Sequence, residues 1–192
     1  MRKHNGMRPQ DVLILLKLVA LGDRPWRYVD LSKSLHISQS EVAEGLHRNM
    51  QARLVGPDKR VLLRSSLMEF LTHGLKYVFP IEPGAITWGM PTAHSAAPLA
   101  EEIVGEGEQY VWPSEEVGTC RGQAIAPLYP SAIPAAQEDG ALYALLALVD
   151  ALRVGRAREQ KLAIEALKKR IQGDVYVQQE FSGSGPRGTG PR

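Results

Sequence analysis

Asp30-Leu-Ser-Lys-Ser-Leu-His-Ile-Ser-Gln-Ser-Glu-Val-Ala-Glu-Gly-Leu-His-Arg-Asn-Met-Gln-Ala-Arg-Leu-Val55 is the stretch on which the reading of this chain turns. Leu31 and Leu35 lie four residues apart behind Asp30, which predicts a short helix over 29–35 with one apolar stripe. His36 and Ile37 then turn the chain. Ser38 stands three residues before Glu41, the capping-box pattern that starts a helix by satisfying its first free amides. Val42, Leu46 and Met50 recur every four residues and predict the inward side of a helix over 38–53. Its other side carries Gln39, Ser40, Ala43, Glu44, His47 and Arg48.

Upstream, residues 11–21 form an apolar helix with Val12, Leu15, Leu16, Val19 and Ala20 on its buried side, ended by Gly22. Downstream, Gly56-Pro57-Asp58-Lys59 is a turn and residues 60–63 read as a short strand, followed by a helix over 64–79. Trp26 and Tyr28 read as core or helix-packing aromatics rather than stacking platforms.

In this order, helix, short helix, capped turn, helix and hairpin, residues 10–78 resemble the winged helix-turn-helix of MarR/ArsR-type transcriptional regulators. The resemblance implies a sequence-specific regulator that binds double-stranded DNA as a homodimer, with the 38–53 helix in the major groove. Candidate base-edge residues are then Ser38, Gln39, Ser40, Glu44, His47 and Arg48. Gln suits adenine, Arg suits guanine, and a carboxylate can accept from the cytosine amino group. Arg27, Lys33, Lys59, Arg60 and Arg64 are the candidates for phosphate and wing contacts, which set affinity without reading sequence. Two departures from the pattern stand out. Glu44 puts a carboxylate where such helices often carry Arg or Ser, and the wing at 56–61 is very short.

Charge follows the same division. Residues 1–79 hold 13 Lys and Arg against 7 Asp and Glu, whereas residues 80–192 hold 10 against 14. A basic N-terminal part on an acidic remainder suits a polyanion-binding module joined to something else.

Between residues 80 and 140 there are eight prolines and seven glycines, which exclude long helices there. Short strands near 85–88, 110–112 and 123–126 and a short helix at 98–104 remain compatible with that composition. Thr92, His94 and Ser95 sit in a loop of small residues and are candidates for contact with an effector or a protein partner. Adjacent Ser and His in sequence do not make a catalytic pair, because the base needs an orienting third group in space. With no phosphate-binding glycine loop and no zinc-protease helix motif, the expectation is that the chain is not an enzyme and uses no cofactor or metal. The single cysteine, Cys120, allows no intramolecular disulfide and reads as an inert thiol.

Helical periodicity returns after residue 140, with a pair of helices over 141–154 and 156–172. The first is apolar on nearly every side, which calls for burial all round and predicts a dimer interface built on this pair. Residues 173–192 read as a disordered tail. The expected architecture is mainly α, with an N-terminal winged helix-turn-helix over 1–79, a Pro/Gly-rich α+β segment over 80–140 and a C-terminal helical pair over 141–172. The longest apolar runs are too short to cross a bilayer, and no signal peptide opens the chain, so a cytoplasmic protein with no membrane contact is expected. The alternative function is a protein-interaction module, an antitoxin-like or adaptor partner whose winged helix is autoregulatory or does not touch DNA.

Overall fold

The computed structural model describes residues 6–103 and 108–173, and the segment read as a disordered tail lies outside them except for Gly173. The fold is mainly helical with one small three-stranded sheet. Helices α1 (Pro9–Leu21), α2 (Tyr28–Leu35) and α3 (Gln39–Gln51) come first, within one or two residues of the expected boundaries. Ser38 caps α3 by accepting from the Glu41 amide at 3.1 Å. His36 closes α2 in the left-handed region at φ 52° and makes the tight turn between the two helices.

The expected wing strand is reduced to one antiparallel bridge, Val55 opposite Leu62. The Gly56 amide donates to the Val61 carbonyl at 2.8 Å, and the Leu63 amide donates to the Leu54 carbonyl at 3.0 Å. Asp58 Oδ1 accepts from the amides of Arg60 and Val61, which folds the tip back on itself. These bonds hold the Asp58 carboxyl below its ordinary range. The single helix expected over 64–79 is two, α4 (Arg64–His73) and α5 (Leu75–Val78), divided at Gly74.

In the proline-rich segment, β1 (Ile86–Pro91) pairs antiparallel with β2 (Tyr110–Pro113) and with β3 (Cys120–Ala124). Strands β2 and β3 pair in parallel, so the three close into a miniature barrel. Closure requires glycine: a Cβ on Gly89 would overlap the Trp112 carbonyl, and one on Gly122 the Gln109 carbonyl. A one-turn 3-10 helix at Ala93–Ser95 and α6 (Leu99–Glu102) separate β1 from β2. The helix expected over 98–104 is shorter, and its last residue lies outside the described ones. Helix α7 (Ala132–Glu138) was not anticipated, since Pro134 reads as a breaker; it sits in the first turn, where proline is tolerated.

Helices α8 (Gly140–Val154) and α9 (Ala157–Gln172) close the chain. The core is one continuous cluster from Val12 to Ile171 that joins all three sequence segments. Helix α1 is buried from Gln10 to Val19 on every side, because α8 covers the face that α2 and α3 leave open.

That packing corrects the expected dimer interface. Leu142, Leu145, Leu146, Leu148, Val149 and Leu152 are all buried within one chain. Helices α1, α5, α7 and α9 and the 3-10 turn enclose α8. Its all-round apolar surface has the expected cause, complete burial, but not the expected partner.

Candidate nucleic-acid interface

Ser38, Gln39, Ser40 and Glu44 are exposed along one side of α3, and His47 is half-buried at its end. The N-terminal half of the helix thus presents amide, hydroxyl and carboxylate groups to solvent. Between Gln39 and His47 there is no Lys or Arg.

Arg48 departs from the expected role. Its side chain is only 5% exposed and is held between two carboxylates. Nε donates to Asp11 Oδ2 at 2.8 Å and Nη2 to Asp11 Oδ1 at 2.7 Å, while Nη2 also donates to Glu41 Oε1 at 2.6 Å. These bonds, the Asp11 pair first, push the guanidinium pKa further up. A guanidinium so engaged and only 5% exposed is not presented at the solvent-facing side of α3.

Glu41 is likewise diverted. The expected capping box would have its carboxylate reach back to the Ser38 amide, but it accepts from Arg48 and from Gln10 Nε2 at 2.9 Å. Burial opposes its charge, yet these donors prevail and hold its carboxyl below the ordinary range. Glu41, Gly45 and Arg48 form one stripe on α3 that faces α1. Gly45 allows the approach, since a Cβ there would lie 2.5 Å from Ile14 Cδ1. Asn49 adds a bond from Nδ2 to the Asp11 carbonyl at 3.0 Å. The orientation of α3 on α1 is therefore set by a buried polar lock.

The basic candidates lie on the bridged turn at 56–61, along α2 and at the start of α4. Lys59 is half-buried at the tip of the bridged turn in the left-handed region, at φ 57°. Arg60 is exposed, with its guanidinium 4.2 Å from the Trp26 ring centroid and 5.5 Å from that of Tyr28. Its Nη1 also donates to the Trp26 carbonyl at 2.8 Å. The two rings meet edge to face at 6.0 Å. Trp26 and Tyr28 pack against the core as expected, and they also support Arg60, which was not anticipated.

Arg27 is exposed and paired with Asp30, its Nε 3.1 Å from Oδ2. Lys33 is exposed on α2. Arg64 is half-buried and donates from Nη1 to the Ile171 carbonyl at 2.7 Å, joining the start of α4 to the end of α9.

The loop candidates are engaged inside the fold. Thr92 is fully buried and donates to Asp150 Oδ2 at 2.8 Å; Trp112 Nε1 donates to the same oxygen at 2.6 Å. Arg153 Nη1 reaches Asp150 Oδ1 at 2.8 Å. Burial pushes the Asp150 carboxyl up despite these partners. Ser95 Oγ accepts from the Tyr110 amide at 2.7 Å. His94 Nε2 lies 3.1 Å from the Glu108 carbonyl, and its Nδ1 lies 3.7 Å from Glu159 Oε2. Thr92 and Ser95 act as pegs between the barrel and its surroundings.

Cys120 is half-buried, with Sγ 3.5 Å from Gln109 Oε1. Among the described residues, no helix is long and apolar enough to cross a membrane. No family model, curated protein or solved structure matches the chain.

Proposed function

We propose that the chain is a sequence-specific DNA-binding transcriptional regulator of winged helix-turn-helix type, with α3 as the helix that enters the major groove. The observation that carries the reading is the capped start of α3, which leaves Gln39, Ser40, Glu44 and His47 on one solvent-facing side. Groove readers of this type contact base edges from the N-terminal residues of that helix. The bridged turn bearing Lys59 and Arg60 follows it as a minimal wing. Arg48 is left out of the base-contacting set and given the task of orienting α3.

Two copies on half-sites about one helical turn apart, ~34 Å, belong to the proposal. The surface that pairs them is other than α8, which is enclosed. Fluorescence polarisation with a duplex from the chain's own promoter region is the test. Binding that weakens steeply with salt and is absent from a scrambled duplex is expected. No binding to any fragment at low salt overturns it.

A second reading is favoured by a specific feature. The exposed side of α3 carries Glu44 and no Lys or Arg, which suits a protein surface better than a phosphate backbone. In that reading the chain is an antitoxin-like or adaptor partner, and co-purification of a stoichiometric protein with no DNA binding would establish it.

A further inference from the structure

Arg24, Arg60 and Arg64 come from three different places in the chain and line one cleft of about 300 Å³ at the base of the wing. The cleft lies between the end of α1, the turn after it and the start of α4. Trp26 forms part of its wall, and Asp23 is the one carboxylate in its lining.

The recorded partners of all three guanidinium groups are backbone carbonyls. Arg24 donates to Leu21 and Ala20 at 3.0 and 2.8 Å, Arg60 to Trp26 and Arg64 to Ile171. Among the described residues, none of the three is ion-paired, in contrast to Arg27, Arg48 and Arg153. A carbonyl orients a guanidinium without neutralising it, and each guanidinium has five N–H donors of which these bonds use one or two. Three arginines without an ion pair among the described residues therefore line a cleft with a single acid. Helix α4 begins at Arg64 without a side-chain cap and adds positive potential there, while the carbonyl end of α1 adds negative potential that Arg24 covers through its bonds to Ala20 and Leu21.

We propose that this cleft binds a phosphate group. Planar guanidinium forks match phosphate oxygens in pairs. The volume is at the lower end of what small ligands occupy. The indole face of Trp26 offers an apolar wall beside the charge. Phosphate chemistry has two sources here, the backbone of a DNA duplex or a phosphorylated small molecule. The first source rests on the DNA-binding reading; the second does not.

The test uses the full chain carrying Trp88→Phe, which removes the exposed indole and leaves Trp26 as the solvent-accessible reporter beside buried Trp112. Inorganic phosphate is titrated against chloride at matched ionic strength, and then a nucleoside monophosphate. A saturable change in Trp26 fluorescence with phosphate and none with chloride is expected. Arg24→Gln and Arg64→Gln should each weaken it at least fivefold, with Arg64→Lys retaining part of it. Thermal unfolding monitored by circular dichroism shows that each variant is folded.

A DNA duplex separates the sources. Should the backbone fill the cleft, free phosphate competes with the duplex, and Arg24→Gln and Arg64→Gln each flatten the salt dependence by about 0.9 in log–log slope. Should a small molecule fill it, the slope is unchanged and phosphate titrates the DNA-bound protein as well. Phosphate binding by a chain that binds no duplex supports the cleft and overturns the DNA reading. DNA binding with no phosphate response, and with unchanged slopes in folded Arg24 and Arg64 variants, overturns the cleft and leaves the DNA reading standing.

Discussion

Arg48 and Asp11 face each other across the α1–α3 contact in a two-pronged ion pair at 2.8 and 2.7 Å, with both side chains removed from solvent. Removing one partner strands the other charge, so Asp11→Ala or Arg48→Ala should cost about 3–5 kcal/mol. An apolar replacement of both, Asp11→Leu with Arg48→Met, should be clearly milder than the sum of the single changes. Urea denaturation of the four proteins measures this cycle, and additive losses would show that the pair is not a unit.

DNA binding by Arg48→Ala, corrected for the folded fraction, should change in the same way as that of Asp11→Ala, because both variants loosen the seat of α3 on α1. Gln39→Ala and Ser40→Ala should instead relax discrimination at individual base pairs, by about 1–3 kcal/mol for a two-bond contact. Glu44→Gln should tighten binding to all sequences by removing a carboxylate from the DNA-facing side, least where that carboxylate accepts from a cytosine amino group. Competition titrations with single-substituted duplexes distinguish these patterns. A change of preference in Arg48→Ala that Asp11→Ala does not share would return that residue to the reading surface.

Lys17 on α1 and Asp139 at the cap of α8 meet at 2.8 Å, with side chains 9% and 18% exposed. Burial opposes the Asp139 charge, but the Lys17 bond and the amides of Leu142 and Ala141 prevail and lower its pKa. A carboxyl with a depressed folded-state pKa stabilises above its unfolded value and loses that contribution as pH falls through the folded one. Asp139→Asn keeps an acceptor for the helix cap and loses the charge. Its cost, about 1–3 kcal/mol at pH 7, should therefore shrink toward zero in acid. Stability curves from pH 7 to pH 2 give the comparison; a pH-independent difference would remove the ionic explanation.

Asp150 carries the opposite sign. Its raised pKa means that the folded state holds a proton more tightly, so protonation on lowering pH from neutral favours folding at this site. Asp150→Asn keeps an oxygen for Thr92 and Trp112 and should be far better tolerated than Asp150→Leu, which leaves both donors buried and unpaired. Equal losses in the two variants would show that the Asp150–Arg153 ion pair within α8, not the two neutral donors, is what this carboxyl contributes to stability.

Leu145→Glu and Val149→Glu place a charge inside a single-chain core and should unfold the protein rather than produce a folded monomer. Circular dichroism with sedimentation decides the matter. A folded variant of lower mass would restore α8 as an interface between copies.

Local signals determined much of this protein. Leu31 and Leu35, Ser38 before Glu41, and Val42, Leu46 and Met50 specify α2 and α3 because spacing and capping act within a few residues. The prolines after residue 80 likewise exclude long helices through a property of their own backbone. The apolar belt of α8 announced burial, but the elements that bury it include α1, more than a hundred residues away, and no periodicity carries that information. The same holds for the α3 surface. Gln39, Ser40 and Glu44 are exposed as their spacing indicates, whereas Arg48 looked equally exposed until Asp11 and Glu41 enclosed it. Local sequence sets which face of a helix a side chain occupies; only the tertiary structure supplies the counter-charge that decides whether a long, flexible side chain turns outward to solvent or inward to a partner.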